Sequence, residues 1–443
     1  MRIQLSDHFT YAKLFRFTLP SIVMMVFTSV YGVVDGFFVS NFAGKTAFAA
    51  VNLVMPFIMV LGGIGFMVGT GGTALVSKVL GEGDREKANR CFSMMIRLTL
   101  ILGAVLSLGG VIFMRPVAVF LGATPEMMAD CVRYGRITIF FNTFFMLQNV
   151  FQSFLIAAEK PKLGLAVTVA AGFTNMALDA LFVGILRWGS AGAALATGLS
   201  QCVGGLLPLF YFLRPNRSLL RLVKTRLERK PLLRACGNGA SELMSNISSS
   251  IVSIVYNFQL LRYVGEDGIS AYGVLLYVQF IFIAIYIGYS IGSAPVVGYH
   301  YGAGHSGELS NLLKKSTLLM GASGLLLAVL AYALSDPLAR LFVGYDATLF
   351  ALTSHAFRLF ACSFLLAGFN IFASSFFTAL NNGAVSATIS FLRTMVFQTS
   401  SVLILPVLLG VDGIWWAITV AELCACVLSA LFLVWNRKRY RYG

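Results

Sequence analysis

Residues 163–185 read "LGLAVTVAAGFTNMALDALFVGI", a run of apolar, small and hydroxyl residues broken by Asn175 and Asp179. About 20 such residues cross a bilayer as a helix. The same kind of run recurs along the 443-residue chain, at 17–40, 48–76, 93–114, 137–158, 163–185, 191–213, 236–261, 269–295, 316–335, 357–380, 385–409 and 412–435. The chain is 58% hydrophobic and only 12% charged, where a soluble domain carries about 25% charged residues. Only helices and closed barrels satisfy their backbone hydrogen bonds in lipid. The reading is an all-α polytopic membrane protein with twelve transmembrane helices.

A net charge of +15 raises nucleic acid as a partner, but its distribution argues against it. With both termini cytoplasmic, 23 of the 33 Lys and Arg fall on the inner side, eight fall outside, and Arg97 and Arg393 lie within spans. That bias is the positive-inside rule, and the lipid bilayer is the partner it implies. The first apolar stretch is too long for a cleavable signal and is expected to be retained. Seven scattered cysteines show no CxxC spacing, and the four histidines lie in loops or near span ends. Thiols of this kind pack as small apolar groups. No metal-ligand or nucleophile–base pattern points to an enzyme, and no cofactor is implied.

The chain is also duplicated. At an offset of 221 residues Gly44 lands on Gly265, Ala50 on Ala271, Gly71 on Gly292, Gly81 on Gly302, Gly83 on Gly304, Pro116 on Pro337, Ala118 on Ala339 and Gly192 on Gly413. Six spans per repeat is an even number, so both halves enter the membrane in the same direction, related by a pseudo-two-fold axis along its normal. This divides the chain into an N-lobe (1–213), a basic cytoplasmic linker (214–235) and a C-lobe (236–443) with a basic tail. The linker is expected to lie amphipathically on anionic headgroups, or to serve only as a topogenic loop.

Four acids fall inside spans: Asp35, Asp179, Glu242 and Glu422. Such residues are expensive in lipid and mark ion or substrate paths. Asp35, Asp179 and Thr197 come to one depth, roughly 9 Å below the outer surface at 1.5 Å per residue. Asn175 stands one turn from Asp179 on the same face, and Asn149 lies somewhat deeper. Two carboxylates at one level cannot both hold charge cheaply, so the group suits proton uptake, and its oxygens equally suit Na⁺. Glu242 sits nearer the cytoplasmic face, away from that pair. Glu422 occupies the repeat position of Gln201 and is expected to face the bundle interior; Arg393 is expected to serve helix packing or to pair with an acid.

These residues resemble the multidrug and toxic compound extrusion (MATE) transporters. The resemblance covers the whole chain, including "YGVVDGFFV" at 31–39, "LGEGD" at 80–84 and "APVVGYHYGAG" at 294–304. It is nearest the bacterial DinF and MepA-like branches. In DinF-type relatives a first-helix aspartate and an Asn-x-x-x-Asp pair in the fifth helix form an N-lobe cation site. Asp35, Asn175 and Asp179 match that pattern, with Thr197 and Asn149 as the accompanying hydroxyl and amide. NorM-type relatives use acids in the seventh and tenth helices; Glu242 resembles the first, and the tenth span here has no acid. The resemblance therefore implies ion coupling in the N-lobe, with Glu242 and Glu422 as secondary cation or substrate contacts. It further implies antiport: an inward H⁺ or Na⁺ gradient drives alternating-access export of amphipathic, mostly cationic small molecules across the plasma (inner) membrane, by a functional monomer. Tyr256, Tyr277 and Phe280 would line the cavity by stacking on cations. A lipid-linked precursor flippase, or an exporter of a native metabolite, is the alternative on the same fold.

Overall fold

The computed structural model describes residues 3–216 and 218–442, and the described residues form helices without strands. The N-lobe holds α1 (Tyr11–Phe38), α2 (Lys45–Gly81), α3 (Arg85–Phe120), α4 (Met128–Phe140), α5 (Asn142–Ala157), α6 (Pro161–Asp179) and α7 (Gly189–Leu213). The C-lobe holds α8 (Arg229–Tyr263), α9 (Glu266–Gly302), α10 (Ser306–Ala333), the short α11 (Ser335–Val343), α12 (Ala347–Ala361), α13 (Phe364–Ala379), α14 (Gly383–Phe391), α15 (Thr399–Leu409) and α16 (Val411–Tyr440).

Nine helices among the described residues are long and apolar enough to cross a bilayer, and two bent pairs bring the number to eleven. The remaining long helix, α8, carries Asn238, Ser241, Glu242, Ser245, Asn246 and Ser248. It crosses as a polar span because its neighbours shield it from lipid: Asn238, Ser241 and Ser248 are buried.

The bends repeat. The fourth span is α4 and α5 meeting at 50°, and the tenth is α12 and α13 meeting at 48°. Phe141 and Cys362 stand in the two breaks, 221 residues apart. Three spans carry a π-helical stretch, in which the hydrogen bonds widen by one residue and side chains beyond it are turned around the axis. These are Val39–Ala43 after α1, Ala180–Ile185 after α6 and Leu392–Gln398 between α14 and α15.

Glycines set the contact between lobes. A Cβ on Gly81 would stand 2.0 Å from the Tyr299 carbonyl oxygen, and one on Gly302 would stand 1.9 Å from that of Lys78. Gly81 and Gly302 are repeat mates, and so are Lys78 and Tyr299, so the contact is reciprocal about the pseudo-two-fold axis. Nearby, a Cβ on Gly239 would stand 1.9 Å from the Met67 carbonyl oxygen, and one on Gly71 1.9 Å from that of Ala235. Backbones approach this closely only where no side chain intervenes.

The 214–235 segment differs from the amphipathic reading. Residues 214–216 and 218–228 form no helix, and α8 begins at Arg229. Its polar groups are held by α3 rather than by headgroups. The Arg221 and Val223 N–H groups donate to Asn89 Oδ1 and Ser93 Oγ at 2.9 and 2.8 Å, and the Arg97 guanidinium donates to the Thr225 carbonyl at 3.0 Å. Leu220 is fully buried beneath it. Arg2 and Arg217, counted among the inner basic residues, lie outside the described residues.

At the end of the bundle that carries both termini, residues 5–9 bridge the lobes. The Leu5 N–H donates to Glu159 Oε1 and the Phe9 N–H to Glu308 Oε1, both at 2.9 Å, and both side chains are fully buried.

The glycine contacts generate a prediction. G81V or G302V places a side chain where a carbonyl oxygen already stands, an overpacking that costs about 1–3 kcal/mol or more. Each should lower the melting temperature and the folded yield. G32A and G36A should not, since nothing lies within 4 Å of a Cβ at either position. Melting curves in detergent compare the two sets; equal melting of both would refute the contact's role.

Candidate functional site

The site forms where α1, α6 and α7 meet. α1 lies close over α6 because Gly172 has no side chain: a Cβ there would stand 2.4 Å from the Phe27 ring and 3.0 Å from that of Tyr31. That approach brings Asp35, two turns beyond Phe27, to the last turn of α6. Asp179 ends α6 immediately before its π-helical stretch. Asn175, four residues earlier, shares its face.

Four of the five expected residues come together. The Thr197 hydroxyl donates to Asp35 Oδ1 at 3.4 Å, and the Asn175 amide donates to the Thr197 hydroxyl oxygen at 3.5 Å. Asp35 also stands within hydrogen-bonding reach of Asn175 and of Asp179. Asp179 and Asn175 are buried, at 0% and 1% exposure, while Asp35 is half-buried.

The hydrogen-bond inventory is lopsided. Both carboxylate oxygens of Asp179 and the Oδ1 of Asn175 are buried and meet no protein donor. The group facing Asp179 is another carboxylate, Asp35. An unmatched buried acceptor costs about 1–3 kcal/mol, more when charged. Three acceptors on one face therefore call for something that brings positive charge: a proton shared between the carboxylates, or a small hard cation that prefers oxygen ligands. Clusters of three or more His, Cys, Asp or Glu fit to hold a metal do not occur among the described residues.

Asn149 has the right depth but a different partner. It is buried, and its amide donates to the Gly62 carbonyl of α2 at 3.5 Å. Two other groups near Asp35 were not anticipated. Tyr31, one turn before Asp35 on α1, reaches the side chain of Gln148, which is buried beside Asn149. The four-residue spacing of Tyr31 and Asp35 in "YGVVD" was a signal for the first. Gln148 had none beyond its neighbour.

The secondary residues scatter. Glu242 is half-buried on α8, the helix that meets α2 at Gly63 and Gly71. Because α8 begins at Arg229 rather than 236, Glu242 lies roughly 10 Å further along its helix than the sequence suggested. Tyr256 is buried within the C-lobe, stacked on Tyr272 with centroids 4.9 Å apart, which leaves its ring no face for a cargo. Tyr277 stacks on Phe342 at 6.2 Å, and the Phe280 ring is exposed while its carbonyl accepts from Ser29 of α1 at 3.4 Å. Glu422 is claimed by Arg393, whose Nη2 and Nε donate to its carboxylate at 2.7–3.0 Å.

The MatE profile matches the chain twice, over residues 20–181 and 243–402. The chain belongs to the MatE family. Its two matched segments fall one in each lobe. This MatE chain is 24% identical over 428 residues to the multidrug export protein MepA of Staphylococcus haemolyticus, covering 96% of this chain and 93% of that protein. It is 22% identical over 427 residues to MepA of Staphylococcus aureus, with the same coverage. Among solved structures it superposes on a MATE transporter in complex with MaL6 at a TM-score of 0.92 and 21% identity, covering 98% of this chain and 97% of that one. It also superposes on an outward-facing multidrug resistance MATE transporter at a TM-score of 0.91 and 22% identity, covering 98% and 96%. The chain is thus a multi-pass membrane transporter of that family, with twelve helices in two lobes.

The unmatched acceptors yield a prediction that separates stability from transport. In D179N the new amide supplies donors where none existed, so the protein should melt at the same or a higher temperature than the native chain. Ion-driven transport should nevertheless fall at least ~10-fold, since one side of the shared site loses its charge. A D179N protein that melts normally and transports normally would remove Asp179 from the site.

Proposed function

We propose that this chain is a secondary antiporter. It exports amphipathic, mostly cationic organic compounds in exchange for H⁺ or Na⁺, with the Asp35–Asp179 pair carrying the ion. The observation that supports this reading is the cluster of buried oxygen acceptors without protein donors. The names of the relatives supply the cargo class: multidrug export proteins. The ion is the substrate exchanged and the organic compound the cargo; no resident cofactor enters the reading.

Ion binding changes the hydrogen bonds available to Asp35, Asn175 and Thr197, and α1 carries that change. On one face α1 contacts α6 through Gly172; on another it contacts α9, where Gly292 and Gly288 abut Thr18, Ser21 and Ile22. A shift of α1 therefore reaches the lobe interface. Exchange requires that ion and cargo prefer opposite states of the two-state equilibrium, because coupling is a difference in affinity between states. The excess of Lys and Arg at the end bearing both termini supports a plasma-membrane orientation with that end cytoplasmic. An exporter of a lipid-linked anion on the same fold would need basic groups at this site, where Asp35 and Asp179 stand instead.

The test is efflux of ethidium from proteoliposomes under an imposed pH gradient and, separately, an imposed Na⁺ gradient. Efflux under one gradient, lost in D35N, is the expected result and names the ion; no efflux under either would overturn the cargo assignment. T197A should impair Na⁺-driven efflux several-fold through loss of a ligand oxygen, and equal Na⁺ response would exclude direct coordination. E242Q should alter the rate or range of cargo while the ion dependence stays intact. Loss of ion dependence in E242Q would move the coupling site out of the N-lobe.

A further inference from the structure

The repeat that pairs glycines across the lobes also pairs polar residues. At the same 221-residue offset Asn149 lands on Asn370, Asp35 on Tyr256 and Gln201 on Glu422. Asn370, Tyr256 and Glu422 cluster inside the C-lobe. The Asn370 amide donates to Glu422 Oε2 at 2.7 Å and to the Glu422 carbonyl at 2.9 Å. Tyr256 stands beside Glu422 with its hydroxyl buried and unpartnered. The C-lobe therefore has a polar cluster on the same helices of the repeat that build the N-lobe site, set one to two turns nearer the terminal end.

What differs is the source of positive charge. In the N-lobe the fifth span contributes Asp179, at the edge of a π-helical stretch. In the C-lobe its mate, the eleventh span, contributes Arg393 from within a π-helical stretch. Arg393 grips Glu422 through Nε at 2.9 and 3.0 Å and through Nη2 at 2.7 Å. Glu422 is 1% exposed and the Arg393 side chain 15%. Both Glu422 oxygens meet donors, whereas neither Asp179 oxygen does. The titratable groups facing Glu422 are Arg393, Tyr256 of α8, Tyr286 of α9 and Cys426 on its own helix; Arg393 is the cation among them.

We propose that the Arg393 guanidinium is a tethered cation that permanently fills the C-lobe's polar cluster, so that Glu422 takes no part in the ion cycle while Arg393 is present. A guanidinium stays protonated throughout the accessible pH range, and a covalent tether prevents its exchange with solution. The C-lobe cluster is then electrically complete in every state, and only the N-lobe cluster exchanges its cation. Arg393 is a positioning residue that sets how many ions the transporter counts per cycle. This inference rests on the antiport reading for its transport consequence, but not for its chemistry.

The experiment compares the native chain with R393Q, R393K and R393Q/E422Q in proteoliposomes, measuring the order of ethidium efflux in the driving ion. R393Q frees Glu422 to take an ion, so its apparent order should rise by about one. R393K keeps a tethered charge and R393Q/E422Q removes both partners, so each should retain the native order. A native order in R393Q, or loss of ion dependence in R393Q/E422Q, would overturn the proposal. If R393Q does not fold, the neutral double variant still decides it, because the proposal requires that variant to stay coupled. Ion uptake by the purified proteins is read in parallel as the difference between R393Q and R393Q/E422Q. That difference should be one ion per chain even if no ethidium efflux is seen, so failure of the antiport reading is distinguishable from failure of this one.

Discussion

The two lobes meet where a main chain presses on a main chain. Gly81 against Tyr299, and Gly302 against Lys78, bring α2 and α9 together at carbonyl distance on the pseudo-two-fold axis. The contact fixes the separation of the two helices, and beside it the Lys78 ammonium lies over the Tyr301 ring, 5.4 Å from its centroid. The close contacts of α1 with α9 run from Thr18 and Gly292 through Ile22 and Gly288 to Ser29 and Phe280, and Asp35 lies beyond them. The candidate site thus stands at the end of α1 beyond its close contacts with α9.

Along α1 the sequence places residues that permit bending. Gly32 and Gly36 flank Asp35 in open space, and Pro20 lies within the helix nearer its start. Proline removes a backbone donor and lets a helix kink. The π-helical stretch after Phe38 loosens the other end. α1 is therefore closely packed against α9 near its start and open around Gly32 and Gly36.

The sequence showed the large features because they depend on periodicity and composition. Twelve apolar runs, the 221-residue repeat and the end carrying the basic residues all follow from properties averaged over many residues. Even α8, the most polar of them, shows as the run 236–261 and as the repeat mate of the first span. The bends at Phe141 and Cys362 were not legible, since neither break has a proline or glycine to mark it. The linker's extended path was hidden for a similar reason: its partners Asn89 and Ser93 are on a distant helix, and local amphipathicity says nothing about them. Within the site, depth could be counted along each helix but azimuth could not. Asp35, Asn175, Asp179 and Thr197 converge, while Asn149, at a plausible depth, turns to Gly62.

The contrast between the lobes has a physical basis in how each satisfies its buried acceptors. Glu422 has a guanidinium and an amide for its oxygens. Asp179 faces another carboxylate, and neither of its oxygens meets a protein donor. A transporter that runs on a gradient needs one such conditional site, whose energy differs between bound and unbound forms. A second one would change the number of ions exchanged. The repeat carries the same helices into both lobes, and differences at mated positions, Tyr256 for Asp35, Arg393 for Gly172, Ser400 for Asp179 and Glu422 for Gln201, leave the C-lobe carboxylate paired within the protein and the Asp179 oxygens without a donor.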